Sequence, residues 1–286
     1  MPVDKLDPTD EEKALIKKAK TLFNISITKE QLQFRRFKKS ELRLGGGDSK
    51  RVTFEQEYPE DDQTCFLASG NSVIDLSVVK KMINNADKPI KDLGWIKTYE
   101  SFNKTKRYCI GADTSEGVGG DFSVGVCIEM ESRKVVAKIR GQWKPFEFAH
   151  KLKELADLFS SPGRPKPELA VERNNHGHAV LLELNEHIGY ENLYVHTDDK
   201  LGWKTDSITR PIMLNTFIDA VDSENIEIHD MEILSEGLTL INNNGKIEAS
   251  EGKHDDCIVA SSIGLQLVVN GASLSLYDNI EKRILL

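Results

Sequence analysis

The stretch Tyr108-Cys109-Ile110-Gly111-Ala112-Asp113-Thr114-Ser115-Glu116-Gly117-Val118-Gly119-Gly120-Asp121-Phe122-Ser123-Val124-Gly125-Val126-Cys127-Ile128 decides the fold. Two apolar runs flank a glycine-rich turn, which reads as strand, tight reversal, strand. Gly117, Gly119 and Gly120 supply the positive-φ freedom that such a reversal needs. The first run ends on Asp113, and Asp121 opens the second, so two carboxylates sit near one hairpin mouth. Rigid strands that deliver acids to a sheet edge hold oxygen ligands in place for a hard divalent cation. Asp and Gly are also ordinary turn residues, so a solvated turn is the plainer account of either acid alone.

Working outward, Lys134–Trp143 reads as a third strand and completes an antiparallel meander. Phe148, Leu152, Leu155, Ala156 and Phe159 then recur at helical spacing. After the Pro162–Pro167 loop, Leu169-Ala170-Val171-Glu172 is a short buried strand ending on an acid. A helix at about Asn175–Ile188 and a strand at Leu193–His196 follow. Helices are expected at Thr209–Val221 and Met231–Ile241, with an edge strand at Lys246–Ala249. Asp255 and Asp256 open an apolar helix, Cys257–Val269. This order predicts an α/β fold, a mixed sheet with helices on both faces.

Residues 1–100 have a different texture. Asp10–Leu22 reads as a helix. Thr28 caps a second one running to about Leu44, with Gln31 in the capping-box position. Gly45-Gly46-Gly47-Asp48-Ser49-Lys50 lacks the spacing of a phosphate loop and reads as a linker. Val52–Tyr58 reads as extended and Val73–Met82 as a short helix. The texture changes between Gly94 and Lys106. The expected division is therefore an N-terminal helical and linker segment, 1–100, and an α/β domain, 101–286.

Composition narrows the functional classes. At 39% hydrophobic and 29% charged the 286 residues are those of an ordinary globular protein. No apolar run approaches the ~20 residues of a membrane helix, and Met1-Pro2-Val3-Asp4-Lys5 starts no secretory signal. Cys65, Cys109, Cys127 and Cys257 form no CxxC pair, and Cys109 and Cys127 read as small hydrophobes in buried strands. A net charge of −8 argues against tight intrinsic nucleic-acid binding. Lys13–Arg51 nevertheless holds twelve Lys/Arg against three Asp/Glu. Its Arg35-Arg36-Phe37-Lys38-Lys39 core suits DNA, an acidic partner or a solvated helix face.

The acids draw these elements together. If the strands ending on Asp113 and Glu172 are neighbours, both tips emerge at one edge. A C-terminal helix packed on that sheet brings Asp255 and Asp256 over the same edge. Converging carboxylates repel unless cations bind between them. Acids without cysteine suit Mg²⁺ or Mn²⁺, and two such ions at roughly 3.5–4 Å serve phosphodiester hydrolysis. His176, His178 and His254 are possible ligands, although caps and surface positions are commoner histidine roles. Trp143 and Trp203 read as packing residues.

At this point the sequence resembles the nuclease domain of the large terminase subunit of tailed phages, in the RNase H-like superfamily. The resemblance rests on Gly111-Ala112-Asp113, Gly119-Gly120-Asp121-Phe122-Ser123, Val171-Glu172-Arg173-Asn174-Asn175-His176-Gly177, Gly202-Trp203-Lys204-Thr205 and His254-Asp255-Asp256, in that order. Phe54–Pro59 and Phe66–Gly70 resemble the stretch leading from the terminase motor into the nuclease. The resemblance spans about residues 30–270. It implies an RNase H-like fold and a Mg²⁺- or Mn²⁺-dependent DNA endonuclease using two ions. Asp113, Glu172 and one or both of Asp255/Asp256 become the catalytic metal ligands, Asp256 being favoured, with Asp121 as accessory acid. Asn174, Asn175 and His176 would line the site, and Lys204, Thr205 and Arg210 would contact phosphates.

The implied partners are double-stranded DNA, the terminase ATPase domain, the small terminase subunit and the portal protein. The implied location is the host cytoplasm, for a viral or prophage-encoded protein. The family's full-length enzyme carries an ATPase. This chain has no Walker A motif, so ATP hydrolysis is not expected of it. An actin- or sugar-kinase-like nucleotide-binding domain shares the strand–Asp–glycine-turn opening, but a second glycine-rich phosphate turn is missing. A catalytically idle packaging scaffold is the third class.

Overall fold

A computed structural model describes residues 7–23, 25–44, 72–115 and 122–284. The chain forms two compact units, 1–70 and 71–286.

The first unit contains α1 (Asp10–Phe23) and α2 (Lys29–Leu44). The expected capping box opens α2: the Thr28 amide donates to Gln31 Oε1 at 2.8 Å, and the Gln31 amide to Thr28 Oγ1 at 3.3 Å. The basic run on α2 faces acids of α1. Arg35 pairs with Glu11 and Arg36 with the buried Glu12, both at 2.6 Å, and Lys39 with Glu11 at 2.9 Å. The helix pair is therefore clamped by charge. The linker at Gly45–Lys50 and the extended piece at Val52–Tyr58 lie outside the described residues.

The second unit begins with α3 (Leu76–Asn85), capped by Asp75. Its main sheet comprises β1 (Lys91–Asp92), β2 (Ile96–Thr98), β3 (Tyr108–Asp113), β4 (Ser123–Glu129), β5 (Lys134–Gly141) and β6 (Glu168–Val171). The order is β1-β2-β5-β4-β3-β6, antiparallel throughout except for the parallel β3–β6 pair. The meander and the mixed sheet match the expectation, with a crossover through α4 (Pro145–Leu158). Next come α5 (Asn175–Leu182), running into a π turn at Glu183–His187, then α6 (Thr209–Asp222) and α7 (Met231–Thr239). The hairpin β7 (Leu240–Asn243) and β8 (Lys246–Ala249) precedes the long α8 (Asp256–Ile284).

Both sheet faces are covered, so the central strands read as continuous apolar runs rather than alternating ones. Cys109, Val124, Val126 and Ile128 join one core with α6, α7 and α8. Ile110, Ala112, Cys127 and Ile139 join the other with α4 and α5. Helices thus cover both faces of the mixed sheet, as the α/β reading expects.

Several expectations need correction. The units part at residue 70, not near 100: Ile96–Thr98 pairs with β5 and belongs to the sheet. Strands of two and three residues carry too few positions to show alternation. Leu193–His196 forms no strand; only single bridges join Leu193 to Leu169 and Val195 to Leu201. The 231–241 helix stops at Thr239, and Leu240 enters a hairpin with β8, which stands apart from the main sheet. No described helix is long and apolar enough to cross a membrane.

Candidate active site

Parallel pairing of β3 with β6 sets Ala112 beside Val171. The next residues, Asp113 and Glu172, therefore stand side by side at the strand ends, and the Glu172 amide donates to the Ala112 carbonyl at 2.8 Å. Their carboxyls stand close enough to act on each other directly. Burial pushes the Asp113 carboxyl well above the carboxylate range, and the charges of Glu172, Asp256 and Asp255 add to the effect. All four acids are thus electrostatic neighbours. Among the described residues no ion pair reaches Asp113 or Glu172.

Asn174 ties the two strand ends. Its Nδ2 donates to Glu172 Oε2 at 2.9 Å and to the Thr114 carbonyl at 3.0 Å. Its Oδ1 accepts the Gly177 amide at 2.8 Å and caps α5. The helix starts hard against the acid: a β-carbon on Gly177 would lie 1.8 Å from the Glu172 carbonyl oxygen.

The other two acids arrive on α8. Gly264 of this helix rests on Gly111 of β3, where the strand has no side chain to hold it off. That contact fixes how far α8 slides along the strand, and so where its first turn lies. Asp256 Oδ2 accepts the Phe122 amide at 3.3 Å, and His254 Nδ1 stands 3.9 Å from the same oxygen. Asp255 Oδ2 pairs with Arg210 Nη2 at 2.7 Å. The amides of Cys257 and Ile258 donate to Glu236 Oε2 at 2.8 and 3.2 Å, so an acid on α7 caps the helix that carries Asp256. Burial pushes the Glu236 carboxyl up to about 7. Sequence reasoning missed Glu236. Its one signal is an acid placed between the buried Leu234 and Leu238 of α7.

The remaining candidates divide. Trp203 bridges Glu172 in parallel, so Lys204 and Thr205 follow at the same edge. Lys204 pairs with Asp206 at 2.9 Å, while Thr205 Oγ1 is enclosed without a partner. Asn175 and His176 open α5, and His178 is exposed on it. Asp121 lies outside the described residues. Trp203 is buried against Tyr194, and Trp143 stacks on Phe148, so both tryptophans pack.

Among the described residues no three acids or imidazoles form a closed ligand set. Asp256 and Asp255 engage Phe122 and Arg210 instead. The chemistry of the donors still fits a hard cation. The oxygens are all carboxylate, Glu172 is buried and Asp113 half-buried, neither has an ion-pair partner among the described residues, and two further acids bear on them.

No protein-family model matches the sequence, and no curated protein does. Solved structures do. The large terminase nuclease from thermophilic phage G20c superposes with a TM-score of 0.53 at 17% identity, over 68% of this chain and 98% of that one. The same nuclease with bound magnesium gives 0.54 at 17%, over 68% and 96%. The large terminase nuclease domain of Thermus phage P74-26 gives 0.51 at 18%, over 69% and 95%. At such identities the likeness is one of fold: the chain has the RNase H-like architecture of large terminase nuclease domains.

Proposed function

We propose that this chain is a metal-dependent endonuclease that hydrolyses double-stranded DNA, cutting concatemers during phage genome packaging. The observation that carries this reading is the meeting of Asp113 and Glu172 on adjacent parallel strands, with Asp255 and Asp256 brought over them by α8. Asp113, Glu172 and Asp256 would hold two Mg²⁺ or Mn²⁺ ions, with Asp121 as accessory acid. Asp256 is preferred to Asp255 because Asp255 is already paired with Arg210. Bound there, the ions would activate a water and stabilise the leaving oxygen. The chain's own part is to hold the acids: Asn174 orients Glu172, and Glu236 anchors the start of α8. Asn175, His176, Lys204, Thr205 and Arg210 stand as site-lining and phosphate-contacting candidates.

Fold likeness to terminase nucleases, one of them magnesium-bound, supports the choice of substrate and metal class. On this reading an ATPase motor domain is a partner of this chain. The small terminase subunit and the portal protein are the further partners, in the host cytoplasm. An acidic chain should bind DNA weakly, without sequence preference, and release it as salt rises.

The test is plasmid cleavage with Mn²⁺, with and without chelator. Chelator-sensitive nicking that disappears in Asp113→Ala is expected. ATP binding without cleavage would replace this reading with a nucleotide-binding domain, and inertness to both with a scaffold.

A further inference from the structure

Arg140 is a cation at the acid edge with no ion-pair partner among the described residues. Asp113 is opposed by Val124 across the β3–β4 ladder, and Val124 by Arg140 across β4–β5. Directly opposed residues in antiparallel pairs project from one face. Asp113 and Arg140 therefore share a face, two strand spacings or about 9–10 Å apart. It is the face on which α8 carries Asp255 and Asp256.

The guanidinium is fixed in place. Its central carbon lies 3.6 Å from the centroid of the Phe122 ring. Phe122 also donates its amide to Asp256 Oδ2, so one residue steadies both an acid and the cation. Arg140 Nε is enclosed and meets no acceptor, and its guanidinium makes no ion pair or hydrogen bond with any described residue. The neighbouring cations are committed: Arg173 to Asp198 at 2.5 Å, Lys204 to Asp206 at 2.9 Å and Arg210 to Asp255 at 2.7 Å. A planar, permanently charged fork held beside acids it does not pair with suits an external anion.

We infer that Arg140, seated on Phe122, binds a backbone phosphate of the nucleic acid next to the one positioned at Asp113 and Glu172. This rests on the nucleic-acid reading of the acid site, and it goes beyond it by naming the residue that takes the flanking phosphate. Arg140 is a binding residue here and takes no part in proton transfer.

The experiment is fluorescence anisotropy of a labelled DNA duplex in chelator, so that no cleavage occurs, from low to physiological ionic strength. One phosphate contact contributes about 0.9 to the slope of log K against log salt. Arg140→Met should lower the slope by about that amount and weaken binding to all sequences alike. Arg140→Lys keeps the charge and should keep the slope. Phe122→Leu should keep the slope while lowering affinity. Arg140→Gln replaces the methionine variant if circular dichroism shows that it does not fold. A slope unchanged in the neutral variants, or a wild-type chain that binds no duplex at low salt, overturns the proposal. A slope that falls in Arg140→Met while the wild-type chain never cuts with Mn²⁺ removes the nuclease reading and leaves the phosphate contact standing.

Discussion

Gly111 and Gly264 meet backbone to backbone: a methyl group on Gly111 would lie 2.2 Å from both the Ala260 carbonyl oxygen and the Gly264 amide nitrogen. Helix α8 can approach β3 this closely only because neither residue has a side chain. The approach places the start of the helix, about 12 Å back along its axis, over the strand tip that carries Asp113. Gly111→Ala meets rigid backbone and should destabilise by about 3 kcal/mol, at the upper end for overpacking. A methyl on Gly264 would chiefly meet the mobile end of Ile128 at 3.0 Å, so Gly264→Ala should cost about 1 kcal/mol. Urea unfolding of the two variants checks the order; equal costs would mean that α8 is not held by this contact.

Asn174 does two jobs that one substitution can separate. Oδ1 caps α5, and Nδ2 holds Glu172. Asn174→Asp keeps a good N-cap acceptor but loses the donor and adds a negative charge beside an acid pair. Stability in the presence of metal should change by under about 1 kcal/mol, while Mn²⁺-dependent cleavage falls. Asn174→Ala loses both and should also unfold about 1 kcal/mol sooner. If the aspartate variant cleaves as well as wild type, Glu172 does not depend on Asn174 for its orientation.

Much of this site is legible in the sequence, and the reason is local. Asp113 and Glu172 each end an apolar run, and the capping box at Thr28 and Gln31 is a four-residue pattern. What escapes are features created by pairing between distant segments. Ile96–Thr98 becomes a strand only because β5 offers an edge. Leu193–His196 has strand composition yet makes single bridges. Glu236 looks like any helical acid until α8 is laid against it, and Arg140 like the end of a strand until Phe122 is beneath it.

Glu236 makes stability fall as pH rises. Its carboxyl is pushed up to about 7 from 4.5, chiefly by burial, so the folded state binds the proton more tightly than the unfolded chain. The folded state therefore loses stability as pH climbs from about 4.5 through about 7. The raised Asp113 carboxyl acts in the same direction. In chelator, Glu236→Gln should flatten the stability profile over this interval and keep an acceptor for the Cys257 and Ile258 amides. Glu236→Ala should flatten it too but cost about 1–2 kcal/mol for the lost cap. Denaturant unfolding at several pH values reads both effects; a wild-type profile as steep as that of the glutamine variant would show that Glu236 does not titrate there.

Lys138 and Asp230 form a buried pair with the opposite sign. Both are almost wholly enclosed, and Lys138 Nζ donates to Asp230 and Glu232, while the Tyr99 hydroxyl donates to Asp230 Oδ2 at 2.9 Å. Burial opposes the charge on Asp230, but the Lys138 ammonium prevails and holds its carboxyl below the usual range. Its stabilising contribution is present above the unfolded carboxylate pKa and is lost as pH falls through the lower folded value. Together with Glu236 and Asp113, this gives a metal-free chain whose stability declines towards both acid and neutral pH. Asp230→Ala strands a buried ammonium, removes the α7 cap and should cost about 3–5 kcal/mol. Lys138→Met leaves Asp230 without its cation, yet the carboxyl can take up a proton and keep its hydrogen bonds, so a smaller loss is expected. The double variant Lys138→Met with Asp230→Ala should lose less than the two single losses added, because no unpaired charge of the pair remains. Additive losses in that cycle would mean that the ion pair contributes nothing specific to the fold.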